Sequence, residues 1–225
     1  VIGHAGAGKS TLLRVMNLLE RPERGTVHAA GRELTALGER ELRAARQEIG
    51  MVLQECHLLH KLTVLENVAF PLRLHGRLNA PRLAARVQEA LELAGIAELA
   101  ARYPAALNAA QRQRVAIARA LVNHPAVLLC DAPTAGLSPD AARALFDTLD
   151  AINRALGVAL VVASADLPLL GALSDRVAVL EHGVLAEQFA TADTSRARDT
   201  ALGRELAFYS SEADVACQWD GATHA

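Results

Sequence analysis

Gly3-His4-Ala5-Gly6-Ala7-Gly8-Lys9-Ser10 matches G-x-x-x-x-G-K-[ST] at every fixed position, after an apolar Val1-Ile2 and before a helical pattern. Glycines at these positions let successive backbone N–H groups turn inward and cradle phosphate oxygens. The helix N-terminus that follows adds its partial positive charge. Lys9 then reaches the β and γ phosphates, and the Ser10 hydroxyl ligates Mg²⁺. The alternative is a tight glycine-rich turn with nothing bound, which the fit of residues and context disfavours. Lys9 and Lys61 are the only lysines among 23 basic residues, so a lysine here marks a place for a compact ammonium. Lys61 has no such account.

These residues need a strand before them and a helix after them. Thr11 to Leu19 reads as that helix, Val27 to Leu34 as a short β excursion and Glu48 to Gln54 as a strand. From about 63 to 110 the pattern is helical, and Asn79-Ala80-Pro81 opens a helix that Gly95 stops. Ala126 to Cys130 and Val158 to Ala163 are short apolar runs of the kind found in buried parallel strands. Between them Ser138-Pro139 caps a helix with Leu145, Leu149, Ile152 and Leu156 on one face, ended by Gly157. Arg176 to Leu180 and Val184 to Gln188 flank a hairpin turn at Glu181-His182-Gly183. Strands alternating with helices imply an α/β fold with a mostly parallel sheet and an inserted helical subdomain.

The 225 residues suit one α/β domain or two small ones. Hydrophobic residues at 52% exclude wholesale disorder, and aromatics at 3% require an aliphatic core. A net charge of -2 supplies no overall field for nucleic acid, which is not expected as a partner. Cys56, Cys130 and Cys217 are widely spaced, as in a reducing compartment. No charged apolar leader and no run of about 20 apolar residues is present, so neither signal peptide nor membrane span is expected.

Further along, Gln54 ends its strand, and Leu107-Asn-Ala-Ala-Gln-Arg-Gln-Arg-Val-Ala-Ile-Ala-Arg-Ala-Leu121 precedes Val127-Leu-Leu-Cys-Asp131 by a few residues. With the glycine loop, these segments resemble the ATP-binding subunits of ABC transporters across nearly all of residues 1 to 190. Asn17 to Gly25, Ile49 to Gln54 and Asp150 to Arg154 look most like the methionine-importer branch. The resemblance implies a P-loop NTPase core of ABC type over 1–190 with its helical insertion at about 63–110. It leaves 191–225 as a tail without a ligand-sensing domain. ATP and Mg²⁺ are the implied cofactors. Gly3, His4, Ala5, Gly6, Ala7, Gly8, Lys9, Ser10 and Thr11 would hold the nucleotide together with Gln54 and Asp131, and Ser10, Gln54 and Asp131 the metal. Two such subunits sandwich two ATPs head to tail. A transmembrane permease subunit is contacted through the Gln54 loop region, placing the protein in the cytoplasm on the inner face of the membrane.

The chain departs from the family at one chemical position after another. Where the family has L-S-G-G-Q, this chain has Leu107-Asn108-Ala109-Ala110-Gln111, whose alanine Cβ atoms crowd the approach to the opposite γ-phosphate. Asn108 and Gln111 keep the makings of a helix cap. The glutamate that orients the attacking water is Ala132, the D-loop aspartate is Ser138, and the switch histidine is Ala165 beside Asp166. A missing general base typically costs about 10²–10⁴ in rate. The adenine-stacking aromatic of the family lies upstream of the loop, and the first aromatic here is Phe70. The expectation is an importer subunit that binds ATP without hydrolysing it and without ATP-driven dimer closure, no catalytic residue being assigned. The alternative is a non-catalytic nucleotide-binding pseudoenzyme, or a non-functional fragment, with a regulatory role or none.

Overall fold

The computed structural model describes residues 1–75, 78–193 and 197–209. The chain falls into two compact units, Val1–Ser10 with Ala163–Ala225, and Thr11–Val162.

In the larger unit the parallel pair β3 (Ile49–Val52) and β4 (Val127–Asp131) runs in register from Ile49 opposite Val127 to Val52 opposite Cys130. β5 (Ala159–Ala163) lies on the other side of β4. These are the apolar runs expected as strands. β4 carries Leu128, Leu129 and Cys130 with no more than 1% exposure, as a strand covered on both faces requires. Burial in that position pushes the Cys130 thiol up to about 12.

The segment expected to be helical folds as α3 (Val64–His75) and α4 (Ala80–Leu93), followed by short 3₁₀ turns at Ala97–Leu99 and Pro104–Ala106. Asn79 caps α4 by accepting from the Arg82 N–H, and Pro81 follows in the first turn. α5 (Ala109–Leu121) packs on β3, burying Val115, Ile117 and Leu121. α6 (Pro139–Leu156) starts at the Ser138 cap and ends at Gly157, whose φ of 65° is the left-handed C-terminal stop. Its buried stripe is Ala142, Leu145, Phe146, Leu149 and Ile152. A small antiparallel ribbon, β1 (His28–Ala29) with β2 (Arg32–Glu33), precedes α2 (Glu39–Ala45).

Helix α1 (Lys9–Met16) begins at the end of the glycine loop and is shorter than the pattern to Leu19 predicts. The Leu19 N–H bonds the Arg14 carbonyl, the Leu18 N–H bonds that of Val15, and Leu18 sits at φ 49°. That is a Schellman ending without its usual glycine. Arg46 supports it from a distant part of the chain, donating to the carbonyls of Asn17 (3.0 Å) and Leu18 (2.5 Å).

In the smaller unit, β6 (Arg176–Glu181) and β7 (Val184–Ala190) form the expected antiparallel hairpin, with Glu181 opposite Val184. The turn residues His182 and Gly183 have φ of 50° and 80°. Short α7 (Leu167–Leu173) starts after β5. Beyond the hairpin, where sequence periodicity fades, residues 201–209 are helical and Leu206 is fully buried. Glu187 on β7 fastens the start of this helix, accepting from the Asp199 N–H, the Thr200 N–H and the Thr200 hydroxyl (3.1, 3.0 and 2.6 Å). Desolvation opposes its charge, but these hydrogen bonds hold its carboxyl below the usual range.

Candidate functional site: a phosphate loop

The glycine loop grows out of a single strand residue. The Ile2 N–H bonds the Ala178 carbonyl (2.9 Å), the Leu180 N–H bonds the Ile2 carbonyl (2.8 Å), and Ile2 lies parallel beside Val179. Gly3 follows where a Cβ would stand 2.5 Å from the Leu180 carbonyl oxygen, so no larger residue fits. The loop then turns with Gly6 at φ 78° and Gly8 at φ 96°, values costly for any residue with a Cβ.

Two backbone bonds set its shape. The Ala7 N–H donates to the His4 carbonyl (3.1 Å), and the Ala7 carbonyl accepts from the Gly183 N–H (3.1 Å). Ala7 is buried, while His4, Ala5, Gly6 and Thr11 are exposed and Gly8, Lys9 and Ser10 half-buried. The Lys9 ammonium folds into the loop, donating to the carbonyls of Gly3 (2.6 Å) and His4 (3.0 Å). An ammonium has three donors, so one remains for an incoming anion. The first N–H groups of α1 have no intrahelical acceptors, and no acidic residue stands in its first turn to compete with an anion. Backbone N–H groups, an ammonium and a hydroxyl gathered in one glycine loop are donors that suit a polyphosphate.

Gln54, Asp131 and the remaining site candidates belong to the other unit. Gln54 is exposed in the turn after β3, and its carbonyl accepts from the Gln113 side chain (3.2 Å). Asp131 ends β4 with 6% exposure. Among the described residues no three His, Cys, Asp or Glu gather as a metal-holding group. Magnesium asks for no such cage, since one or two protein oxygens, water and phosphate commonly hold it.

The departing positions have local tasks. Asn108 accepts from the Gln111 N–H (2.9 Å) while the Gln111 side chain accepts from the Asn108 N–H (3.0 Å), a complete capping box. Ser138 caps α6 and Asp166 caps α7. Ala132 is half-buried at φ 44°, and Ala165 is exposed.

Two residues that the sequence reading passes over stand close to Gln54. Gln113 is the polar member of the α5 stripe Gln113-Ile117-Leu121, and a polar residue at that spacing is the signal that could have found it. Arg119 reaches the carbonyls just beyond Gln54 and carries no local signal.

The comparisons agree with this geometry. The sequence model of the ABC transporter family matches residues 1–135. A methionine import ATP-binding protein of Rhodospirillum rubrum is 47% identical over 188 residues, covering 84% of this chain and 53% of its own length. The corresponding protein of Thermobifida fusca is 46% identical over 206 residues, covering 92% of this chain and 64% of its own length. The chain thus spans about half to two-thirds of these curated relatives. Among solved structures, a dimeric ATP-binding cassette, MJ0796, bound to ADP and Pi superposes with a TM-score of 0.76 at 32% identity. That match covers 84% of this chain and 83% of the other. The cbiO1 component of an ABC transporter complex from Clostridium perfringens gives a TM-score of 0.77 at 28% identity, covering 84% of this chain and 77% of its own. With its glycine loop, parallel strands and helical insertion, the chain has the α/β P-loop NTPase fold and belongs to the ABC transporter family.

Proposed function

We propose that the chain is the ATP-binding subunit of an ABC importer of the methionine or amino-acid type, one that binds Mg·ATP and does not turn it over. The observation that carries this is the Lys9 ammonium seated inside the loop on the Gly3 and His4 carbonyls. The methionine-import names of the similar proteins support the solute class. Residues from Gly3 to Thr11 hold the phosphates. Ser10, Gln54 and Asp131 hold Mg²⁺, whose role is to neutralise phosphate charge.

A transmembrane permease subunit is the partner at the Gln54 loop region. A groove of about 350 Å³ opens there, lined in part by Met51, Leu59, Phe70, Pro71, Leu74 and Arg119. Phe70 and Leu74 are 43% and 69% exposed, apolar surface that suits a buried contact. Among the described residues no helix is long and apolar enough to cross a membrane. The permease would hold the subunit at the cytoplasmic face of the membrane.

Loss of turnover rests on Ala132 and Ala165, which lack a proton acceptor, and on Ala109 and Ala110 at the start of α5. The same alanines favour a second reading, a nucleotide-binding pseudoenzyme with a regulatory role. Calorimetric titration with Mg·ATP tests the shared premise. The wild type binds and Lys9→Ala does not; equal binding by both would reduce the loop to a structural turn.

A further inference from the structure

Helix α5 carries two polar side chains that nucleotide binding leaves unused. Gln113 is 3% exposed, donates through Nε2 to the Gln54 carbonyl (3.2 Å), and keeps a buried Oε1 without a hydrogen-bond partner. Further along the same helix, Arg119 sends Nη2 to the Cys56 carbonyl (2.5 Å) and Nη1 to the His57 carbonyl (2.8 Å). One helix thus grips three of the four carbonyls from Gln54 to His57.

That segment needs a grip. Cys56 and His57 are consecutive non-glycine residues at φ 59° and 44°. The His57 N–H turns back to the Glu55 carbonyl at 2.6 Å, and an i to i+2 bond around a positive φ is the rarer, strained γ-turn. Such backbone persists only where its surroundings over-determine it. The planar guanidinium fork, with two donors in fixed geometry, suits two adjacent carbonyls in a way that an ammonium does not. The turn also buries Cys56 to 8% exposure, and desolvation raises its thiol against the opposing pull of Arg112 and Arg119.

We infer that Arg119 and Gln113 are positioning residues, holding segment 54–57 in one strained conformation and thereby deciding where the Gln54 side chain is presented. The functional consequence, and that alone, rests on the proposed role of Gln54 at Mg²⁺. Any displacement of α5, the helix that begins at the Asn108 cap, is then handed to Gln54 through backbone carbonyls.

The buried Cys56 thiol is the reporter. In a Cys217→Ser background the remaining thiols are Cys56 and the fully buried Cys130, and the rate of maleimide labelling reads opening of the turn. Arg119→Ala is expected to label Cys56 about tenfold faster or more while cooperative melting persists, since a charged hydrogen-bond pair has been lost. Arg119→Lys restores part of the protection, as one ammonium can reach one carbonyl. Gln113→Leu fills the same space without the donor and also labels faster, which settles the matter should Arg119→Ala fail to fold. In a second arm, ADP affinity is measured with and without Mg²⁺. Both variants lose the Mg²⁺-dependent increment and keep Mg²⁺-free affinity. Unchanged labelling in Arg119→Ala and Gln113→Leu overturns the inference, and faster labelling with an undiminished Mg²⁺ increment overturns its functional consequence. A parent chain with no nucleotide affinity overturns the proposed function instead, and the labelling rates still decide the positioning role.

Discussion

Asn67 shows how much one buried polar side chain can fix. With no exposure, it accepts from the Leu59 N–H (2.8 Å) and donates to the carbonyls of Leu59, Leu62 and Thr63 (3.1, 3.1 and 2.9 Å). The chain between the Gln54 turn and α3 has no regular structure of its own and is shaped by this amide. Asn67→Leu matches it in size and takes the side-chain partner from the Leu59 N–H and the Leu62 carbonyl, while the Leu59 and Thr63 carbonyls keep the backbone N–H groups of residues 62 and 67. The expected loss is about 2–4 kcal/mol of unfolding free energy in urea melts. A loss under about 1 kcal/mol would mean that water takes over these bonds. Lys9 is a comparable case, because its ammonium serves the loop's own carbonyls before any phosphate arrives. Part of what Lys9→Ala removes is therefore the loop's own shape.

At the scale of elements, both hairpins turn on two residues with positive φ. Ala30 and Gly31 stand at 49° and 73°, His182 and Gly183 at 50° and 80°. This is the type I′ geometry, which favours Asn-Gly. Ala30→Asn is accordingly expected to stabilise by about 0.5 kcal/mol, read as a raised melting temperature, and Ala30→Val to destabilise. Turn signals and apolar runs made most elements legible. Glu181-His182-Gly183, Ser138-Pro139 and Val127 to Cys130 each announce local structure through local chemistry. The glycine loop is legible for the same reason, since all its requirements lie within a few residues. The end of α1 was not, because the carbonyls of Asn17 and Leu18 are capped by Arg46 from elsewhere in the chain. Helical residues 201–209 were missed because a carboxylate on β7 and one buried leucine hold them. Gln113 and Arg119 escaped for the same cause, as their partners are carbonyls distant in sequence.

For the whole molecule, the central expectation is that phosphate release stays at background and that ATP does not convert the chain to stable dimers. The missing groups act on one γ-phosphate and one water, and residues that work as a unit are strongly non-additive. Ala132→Glu alone should leave the rate flat. Ala132→Glu with Ala165→His and a Ser-Gly-Gly signature at 108–110 is the combination expected to regain some rate. A wild-type turnover near about one per second, lost in Lys9→Ala, would lie in the ordinary enzyme range and refute the loss of activity. The phosphate loop itself is held by residues distant in sequence, with Ile2 between its β6 partners and Ala7 bonded to Gly183. Ala178 to Gly183 are translated about 170 residues after the loop that they hold. The loop is thus translated early and waits, unshaped, until the hairpin emerges. Such long-range pairing is slow to form, and a chain truncated before β6 is expected to lose nucleotide recognition, read by calorimetry.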